Sequence, residues 1–302
     1  MRRFLIAVAV LAVAAAACAP EDEGSSADPT DTATDTSSPA ADECATESLP
    51  TFEEGQLTVS TSNPVFPPWF SGKVDGSEWK NPSPESGEGF EGAFTYALAE
   101  ELGFSEDQVV WVEEPFNRTY APGAKEYDFS VQEISISPKR AEAVDFSVGY
   151  YDANQALIAL DDSPAADATS IEDLQDTRLG AQIGTTGLTF IEEAIQPDTE
   201  AAVFDDTSAA KAALENGQID GIVVDLPTAF YISAVEIPNS SVVAQFENVP
   251  GIEGEQFGLT FEKGNPLVEC VNQAIETLQS DGTLDAIQDE WLSQAVDVPV
   301  LG

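Results

Sequence analysis

"EISISPKRAEAVDFS" occupies residues 133–147. Its first half, Ile134-Ser135-Ile136-Ser137, alternates apolar and hydroxyl side chains, the period-two mark of a strand with one buried face. Pro138 then ends the strand, and Lys139-Arg140 follows at once. Positive charge is scarce in this chain: there are 11 Lys and Arg against 55 Asp and Glu, and Arg2 and Arg3 sit at the extreme N-terminus. From its residues alone the stretch admits two readings. Arg140 is a solvated turn arginine paired with Glu142 or Asp145, or it is a guanidinium fork kept at a strand end to hold an anion.

Outward from this point the pattern is strand, helix, strand. "QLTVSTS" (56–62) alternates and is rich in β-formers. "GAFTYALAEELGF" (92–104) places Phe94, Ala97, Leu98 and Leu102 on one helical face and stops at Gly103. "VVWVEEP" (109–115) and "DFSVQEISI" (128–136) read as further strands. Beyond them, "TRLGAQIG" (177–184) is a strand running into the helix "TTGLTFIEEAI" (185–195). "DDTSAAKAALENGQIDGIVVD" (205–225) is a capped helix, an Asn-Gly stop and a strand, and "SVVAQF" (241–246) and "EQFGLTFE" (255–262) are two more strands. In "GNPLVECVNQAIETLQSDG" (264–282) Asn265 is the N-cap, Pro266 the first turn, Gly282 the stop, and Leu267, Val271, Ile275 and Leu278 the buried stripe. This alternation predicts an α/β protein with largely parallel sheets. Two βα series, one before about Tyr151 and one after about Thr177, predict two lobes. The extended stretches "YYDANQALIALDD" (150–162) and 255–265 are the expected crossings between them.

Charge and composition exclude several functions. Removing residues 1–17 takes away two arginines and no acid, so the net charge of −44 becomes about −46. Nucleic-acid binding needs clustered Lys and Arg and is excluded as the main role. A strongly acidic surface implies solvation and self-repulsion. There is no histidine, which removes the usual general base and the commonest metal ligand.

The N-terminus reads as an export signal over residues 1–17: Met1-Arg2-Arg3, then an apolar run of Phe4 to Ala17 too short to span a bilayer. The small residues before Cys18 resemble a bacterial lipobox, with Ala15 where the usual Leu stands; the other reading is an ordinary secretory signal with an incidental cysteine. Residues 18–53 are expected to be the acylated cysteine and a flexible acidic stalk, because Ala, Pro, Ser, Thr, Asp and Glu bury too little surface to offset ordering entropy. The expected folded part is lobe one, 54–151 plus 256–302, and lobe two, 152–255. Cys44 and Cys270 are the two remaining cysteines of an exported chain, and are expected to pair on compartment and count.

Four segments in order resemble the family 3 solute-binding proteins of ABC transporters, the polar amino-acid binders: "ISISPKRAEAVDFS" (134–147), "LGAQIGTTG" (179–187), "ALENGQIDGIVVDLPTA" (213–229) and "FGLTFEKGNPLVECVNQAIETLQSDGTLDAIQDEWL" (257–292). The resemblance covers about residues 54–293. It implies a two-lobed periplasmic-binding-protein-like (Venus flytrap) fold with two crossover strands, a free amino acid as ligand, a permease as partner, no cofactor and a monomer. It places the protein, lipid-anchored, at the outer face of the cytoplasmic membrane.

The same resemblance assigns roles. Arg140 grips the ligand's α-carboxylate, Ser135 bonds its head group, and the backbone of Gln132 and Glu133 lines the site. Glu133 departs from the small residues common there. Gly184, Thr185 and Thr186 form a second carboxylate clamp at a helix start, where a plain cap is the ordinary reading. Asp225 pairs with the α-ammonium, although an Asp at a strand end is usually a turn residue. Phe66 stacks on the ligand side chain and Phe116 faces it, although either Phe alone reads as core. Asn63 stands where several members carry a side-chain-reading Asp. Arg118 reaches an acidic side chain or points to water, and residues 71–88 form a surface insertion near the pocket mouth. Two other functions stay open. One is a dehydratase of aromatic amino-acid synthesis on the same scaffold, with Glu133 or Asp225 as acid or base; the other is a sensory lipoprotein that binds a partner.

Overall fold

The computed structural model describes residues 44–252, 254–292 and 298–301. The signal segment, Cys18 and the stalk to residue 43 lie outside them. Residues 44–53, expected to be stalk, belong instead to lobe one, where Leu49 is buried in the core and Phe52 N–H donates to Asp128 Oδ1, because an apolar side chain and a covalent bridge at Cys44 offset the entropy of ordering them.

Leu57–Thr61 (β1) is buried along its whole length and is the centre of the first sheet. It pairs in parallel with Val109–Glu113 (β2) and Phe129–Ser130 (β3). Asp145–Phe146 (β4) and Thr260–Phe261 (β12) complete the order β2-β1-β3-β12-β4, with β12 antiparallel to both neighbours. Phe90–Glu101 (α1), Leu267–Ser280 (α7) and Thr283–Leu292 (α8) pack against it. Leu57, Val59, Phe94, Leu98, Phe129, Phe261, Val271 and Ile275 form one core. The sequence stripe of α7 is its buried face; the N-cap position falls at Pro266 rather than the expected Asn265, and Asn265 Oδ1 accepts the Leu267 N–H at 2.9 Å from one residue further out.

The second sheet has the order β10-β6-β9-β7-β8, built from Gln155–Leu160 (β6), Leu179–Gln182 (β7), Ala202–Phe204 (β8), Gly221–Asp225 (β9) and Ser240–Phe246 (β10). β7 runs parallel to β8 and β9, while β6 runs antiparallel to β9 and β10. In each sheet four strands therefore run one way and one runs against them, β12 in the first and β6 in the second, so the sheets are largely parallel as expected, each with one antiparallel member. β6 enters directly from a crossing and so meets the other strands of its sheet from the opposite direction. Thr186–Phe190 (α4) and Thr207–Glu215 (α5) follow β7 and β8, and Leu226–Tyr231 (α6) follows β9. The two crossings, Tyr151–Asp152 (β5) and Gln256–Phe257 (β11), pair antiparallel as a two-stranded ribbon between the sheets.

Two expectations change. "DFSVQEISI" forms only two residues of strand, because the chain turns at Glu133, which has φ of 53°. The second concerns the end of the range 256–302 assigned to lobe one. Val300 bridges Gln245 on β10, Leu301 N donates to Gln245 O at 3.1 Å, and Leu301 is buried in the second lobe's core. A short apolar segment with free backbone groups finds both an edge strand and a core there.

Candidate functional site

Where the strands of both sheets end, the lobes enclose a cavity of about 100 Å³, room for one small molecule and not for a peptide. Lobe one contributes Ser62, Phe66, Phe116, Gln132, Glu133 and Ser135. Lobe two contributes Thr185, Thr186, Lys211, Asp225 and Glu236, with Gln155 at the start of β6. Of the expected residues, Phe66, Phe116, Gln132, Glu133, Ser135, Thr185, Thr186 and Asp225 thus meet at one cavity.

Asn63 does not. Its side chain turns outward, donating to Glu113 Oε2 at 3.3 Å and accepting the Lys80 N–H at 3.2 Å, while Ser62, one residue earlier, lines the cavity. Lys80 of the 71–88 segment shares this hold with Glu113, the lysine Nζ also donating to Asn63 O at 3.4 Å. Arg118 points to water, 73% exposed and 4.0 Å from Glu114.

Arg140 also differs from expectation. Pro138–Ala141 (α3) starts at Ser137, whose Oγ accepts the Arg140 N–H. The guanidinium is buried and does not line the cavity. It donates to Ser135 O at 2.7 Å and, across the cleft, to Gly184 O at 2.9 Å. Its face rests 4.6 Å from the Tyr120 ring and 5.6 Å from that of Phe116, which lies on Phe116–Thr119 (α2). Tyr120 OH reaches the same Gly184 carbonyl at 3.3 Å. Gly184 has φ of 76°, and a Cβ there would collide with the Tyr120 hydroxyl, so this close lobe–lobe approach requires glycine. Burial lowers the guanidinium's pKa, against the pull of Tyr120 and Glu255.

Thr185 is the N-cap of α4, its Oγ1 accepting Leu188 N–H at 3.2 Å. Thr186 Oγ1 faces Ser135 Oγ across the cleft at 3.4 Å, and Ser135 Oγ donates to Glu255 Oε1 at 2.6 Å. Asp225 Oδ1 accepts Thr228 N–H at 3.0 Å, so this residue is both the cap of α6 and a cavity wall. Gln132 donates through Nε2 to Glu114 O and Ser130 Oγ, and its buried Oε1 has no partner among the described residues.

Several functional-looking groups were not anticipated. Glu91 on α1 is fully buried; its Oε1 accepts Glu133 N–H at 2.7 Å and Tyr150 OH at 2.5 Å, and its Oε2 has no partner among the described residues. With Glu133, Asp225 and Glu255 it forms a cluster of carboxyls, of which Glu133 and Asp225 line the cavity. Lys211 Nζ pairs with Glu236 Oε2 at 2.7 Å and lies 4.9 Å over the Phe66 ring of the other lobe. The shortage of cations that singles out Arg140 is the one sequence signal that also marks Lys211.

This cluster of carboxyls has a consequence for stability. Burial raises Glu91 from an ordinary 4.5 to about 7, against the lowering effect of its two donors. Burial likewise raises Asp225 from 3.8 to about 6, and it pushes Glu133 well up, helped by Asp225 and Glu91. Between about pH 4 and 7 the folded protein then holds more protons on these groups than the unfolded chain. Their contribution is fully present below that window and is lost as pH rises through it. The ligand-free protein is expected to melt at a lower temperature at pH 8 than at pH 5, and Glu91→Gln to flatten the difference. An unchanged slope in that variant assigns the pH dependence to surface charge instead.

A cleft between two α/β lobes, hinged on a ribbon of two crossings and lined with paired donors and carboxyls, defines a lobed small-molecule binding protein. Residues 77–294 match the bacterial extracellular solute-binding proteins, family 3, and the chain belongs to that family. Among curated relatives, it is 29% identical over 172 residues to ABC transporter arginine-binding protein 1 of Escherichia coli (strain K12), covering 56% of this chain and 68% of the relative. It is 28% identical to the L-cystine-binding protein TcyJ of the same organism, over 69% of this chain and 75% of that one. Among solved structures, an ancestral arginine-binding protein bound to glutamine superposes with a TM-score of 0.65 at 26% identity, covering 80% of this chain and 100% of that one.

Proposed function

We propose that this chain is the extracytoplasmic binding component of an ABC transporter, capturing one polar amino acid between its lobes and presenting it to a membrane permease. The observation that carries the reading is the cavity itself, walled by Glu133 and Ser135 from one lobe and by Asp225 and Thr186 from the other. An amino-acid zwitterion has to lose water at both ends to enter such a space, and it does so at tolerable cost only if both charges find partners. Asp225, with Glu133 beside it, suits the ammonium. The carboxylate takes the place that Gly184 O holds on Arg140 in this structure, with the Ser135 and Thr186 hydroxyls alongside. Ligand then favours the closed state through contacts that exist only when the lobes meet. Relatives named for arginine and cystine set the range of side chains to try first. Lipidation at Cys18 and a stalk that ends before Cys44 would hold the domain at the outer face of the membrane, working as a monomer with no cofactor and catalysing nothing.

The test is mass spectrometry of small molecules released when the purified protein is denatured, followed by calorimetry against the twenty amino acids. One amino acid binding tightly is the expected result. Turnover of arogenate or prephenate that disappears in Glu133→Gln would place the chain with the dehydratases instead.

A further inference from the structure

An aromatic face with a carboxylate beside it is a seat for a cation, since the ring quadrupole and the anion both attract positive charge. The cavity has such a seat, made by the Phe66 ring of lobe one and the Glu236 carboxylate of lobe two. Its occupant is the protein's own Lys211, held on α5 with Nζ 2.7 Å from Glu236 Oε2 and 4.9 Å from the ring centroid. Only 13% of the Lys211 side chain and 30% of that of Glu236 remain exposed, so solvent screens the pair only partly.

We propose that Lys211 is a specificity-determining residue that fills the cation seat and selects a ligand whose side chain is neutral and ends in a carbonyl acceptor, a primary amide or a ureido group. The inference rests on the reading of the cavity as an amino-acid site with Phe66 at the side-chain end. A ligand's ammonium or guanidinium would have to evict a tethered competitor, which pays no translational cost, or settle beside a like charge. An ammonium has three N–H donors; one is engaged by Glu236, leaving donors for a ligand carbonyl. The second oxygen of Glu236 can take the N–H of the same amide. Charge therefore excludes cations, while the hydrogen-bond pattern admits an amide.

The experiment is calorimetry of wild type, Lys211→Met and Glu236→Gln against glutamine, asparagine, citrulline, glutamate, arginine and lysine, with a thermal melt of each protein. Wild type is expected to bind one of the amide or ureido ligands more tightly than arginine or lysine. In Lys211→Met, which keeps the stem's packing, the ratio of arginine to neutral-ligand affinity is expected to rise by about tenfold or more. Glu236→Gln leaves Lys211 without its carboxylate and shifts the preference toward glutamate. Arginine or lysine leading in wild type, or a ratio that stays within about threefold in Lys211→Met, overturns the inference while leaving the amino-acid site intact. Failure of wild type to bind any amino acid or citrulline overturns both.

Discussion

Asp225→Asn and Arg140→Ala are each expected to weaken amino-acid binding by about 2–5 kcal/mol, roughly thirty- to several-thousand-fold. Either change leaves one charge of a buried zwitterion unpaired, and that penalty is larger than the net worth of the pair. The asparagine variant is informative because Asp225 has two duties. Its Oδ1 caps α6 through Thr228 N–H, and asparagine caps as well as aspartate, so stability stays near wild type while the charge is gone. Arg140 also has a structural duty, since its guanidinium bonds the Ser135 and Gly184 carbonyls. Arg140→Lys, a point charge in place of a planar fork, is expected to weaken binding as well. The measurement is calorimetry with the best ligand of the wild type. If Asp225→Asn and Arg140→Ala both bind it within about threefold of wild type, the assignment of the two ligand ends is wrong.

The second large effect lies far from the cleft. Cys44 and Cys270 are joined, with Cα atoms 5.4 Å apart and a sequence separation of 226. The bridge fastens the first described residues to α7. Around it, Thr46 Oγ1 donates to Leu102 O at 2.9 Å, Leu49 is buried in the lobe-one core, and Phe52 N–H reaches Asp128 Oδ1 at 2.6 Å. Removing so long a covalent loop is expected to cost roughly 2–5 kcal/mol, chiefly through the freedom returned to the unfolded chain. For a domain of this size each kcal/mol lowers the midpoint by about 2–4 °C. Thermal unfolding of Cys44→Ser, and of wild type with reductant, reads the loss. A midpoint unchanged within about a degree, or two free thiols in the unfolded, unreduced protein, would contradict the expected cost.

The two-lobed architecture was legible because it is written in local patterns. Leu267, Val271, Ile275 and Leu278 recur at helical spacing, and the stretches at 151–152 and 256–257 have the extended character that crossings need. What was not legible depends on distant pairing. Nothing in "DVPVLG" announces that Leu301 packs into the second lobe, because an edge strand accepts any short segment with free backbone groups. The site divides the same way. Phe66, Glu133, Ser135 and Asp225 sit at strand ends or turns, which local pattern marks, and they line the cavity. Asn63 was expected one residue away from Ser62, a shift that flips which side chain reaches the cavity. Arg140 follows its strand as the local pattern reads, but its burial against Tyr120 and Gly184 depends on a second lobe that no local pattern positions. Lys211 looks like the solvated face of an amphipathic helix, and only the meeting of the lobes sets it over Phe66. Glu91 sits in the first turn of α1, where an acid is ordinary, and its full burial follows from Tyr150 and Glu133 closing over it.

One cross-cleft contact gives the molecule a native optical gauge. Trp69, in lobe one, is completely buried and donates its indole N–H to Thr228 Oγ1 of lobe two at 2.7 Å. Its ring stands edge-on to Phe90, Tyr151 and Phe257, at centroid distances of 5.7, 5.3 and 5.5 Å. Tyr151 and Phe257 belong to the two crossings, so the indole is wedged between the joint and the far jaw. Parting the jaws removes its hydrogen-bond acceptor and admits water to an emitter that is otherwise dry. The same residue that seals the joint therefore carries, in its emission colour, a label-free record of how far the jaws stand apart.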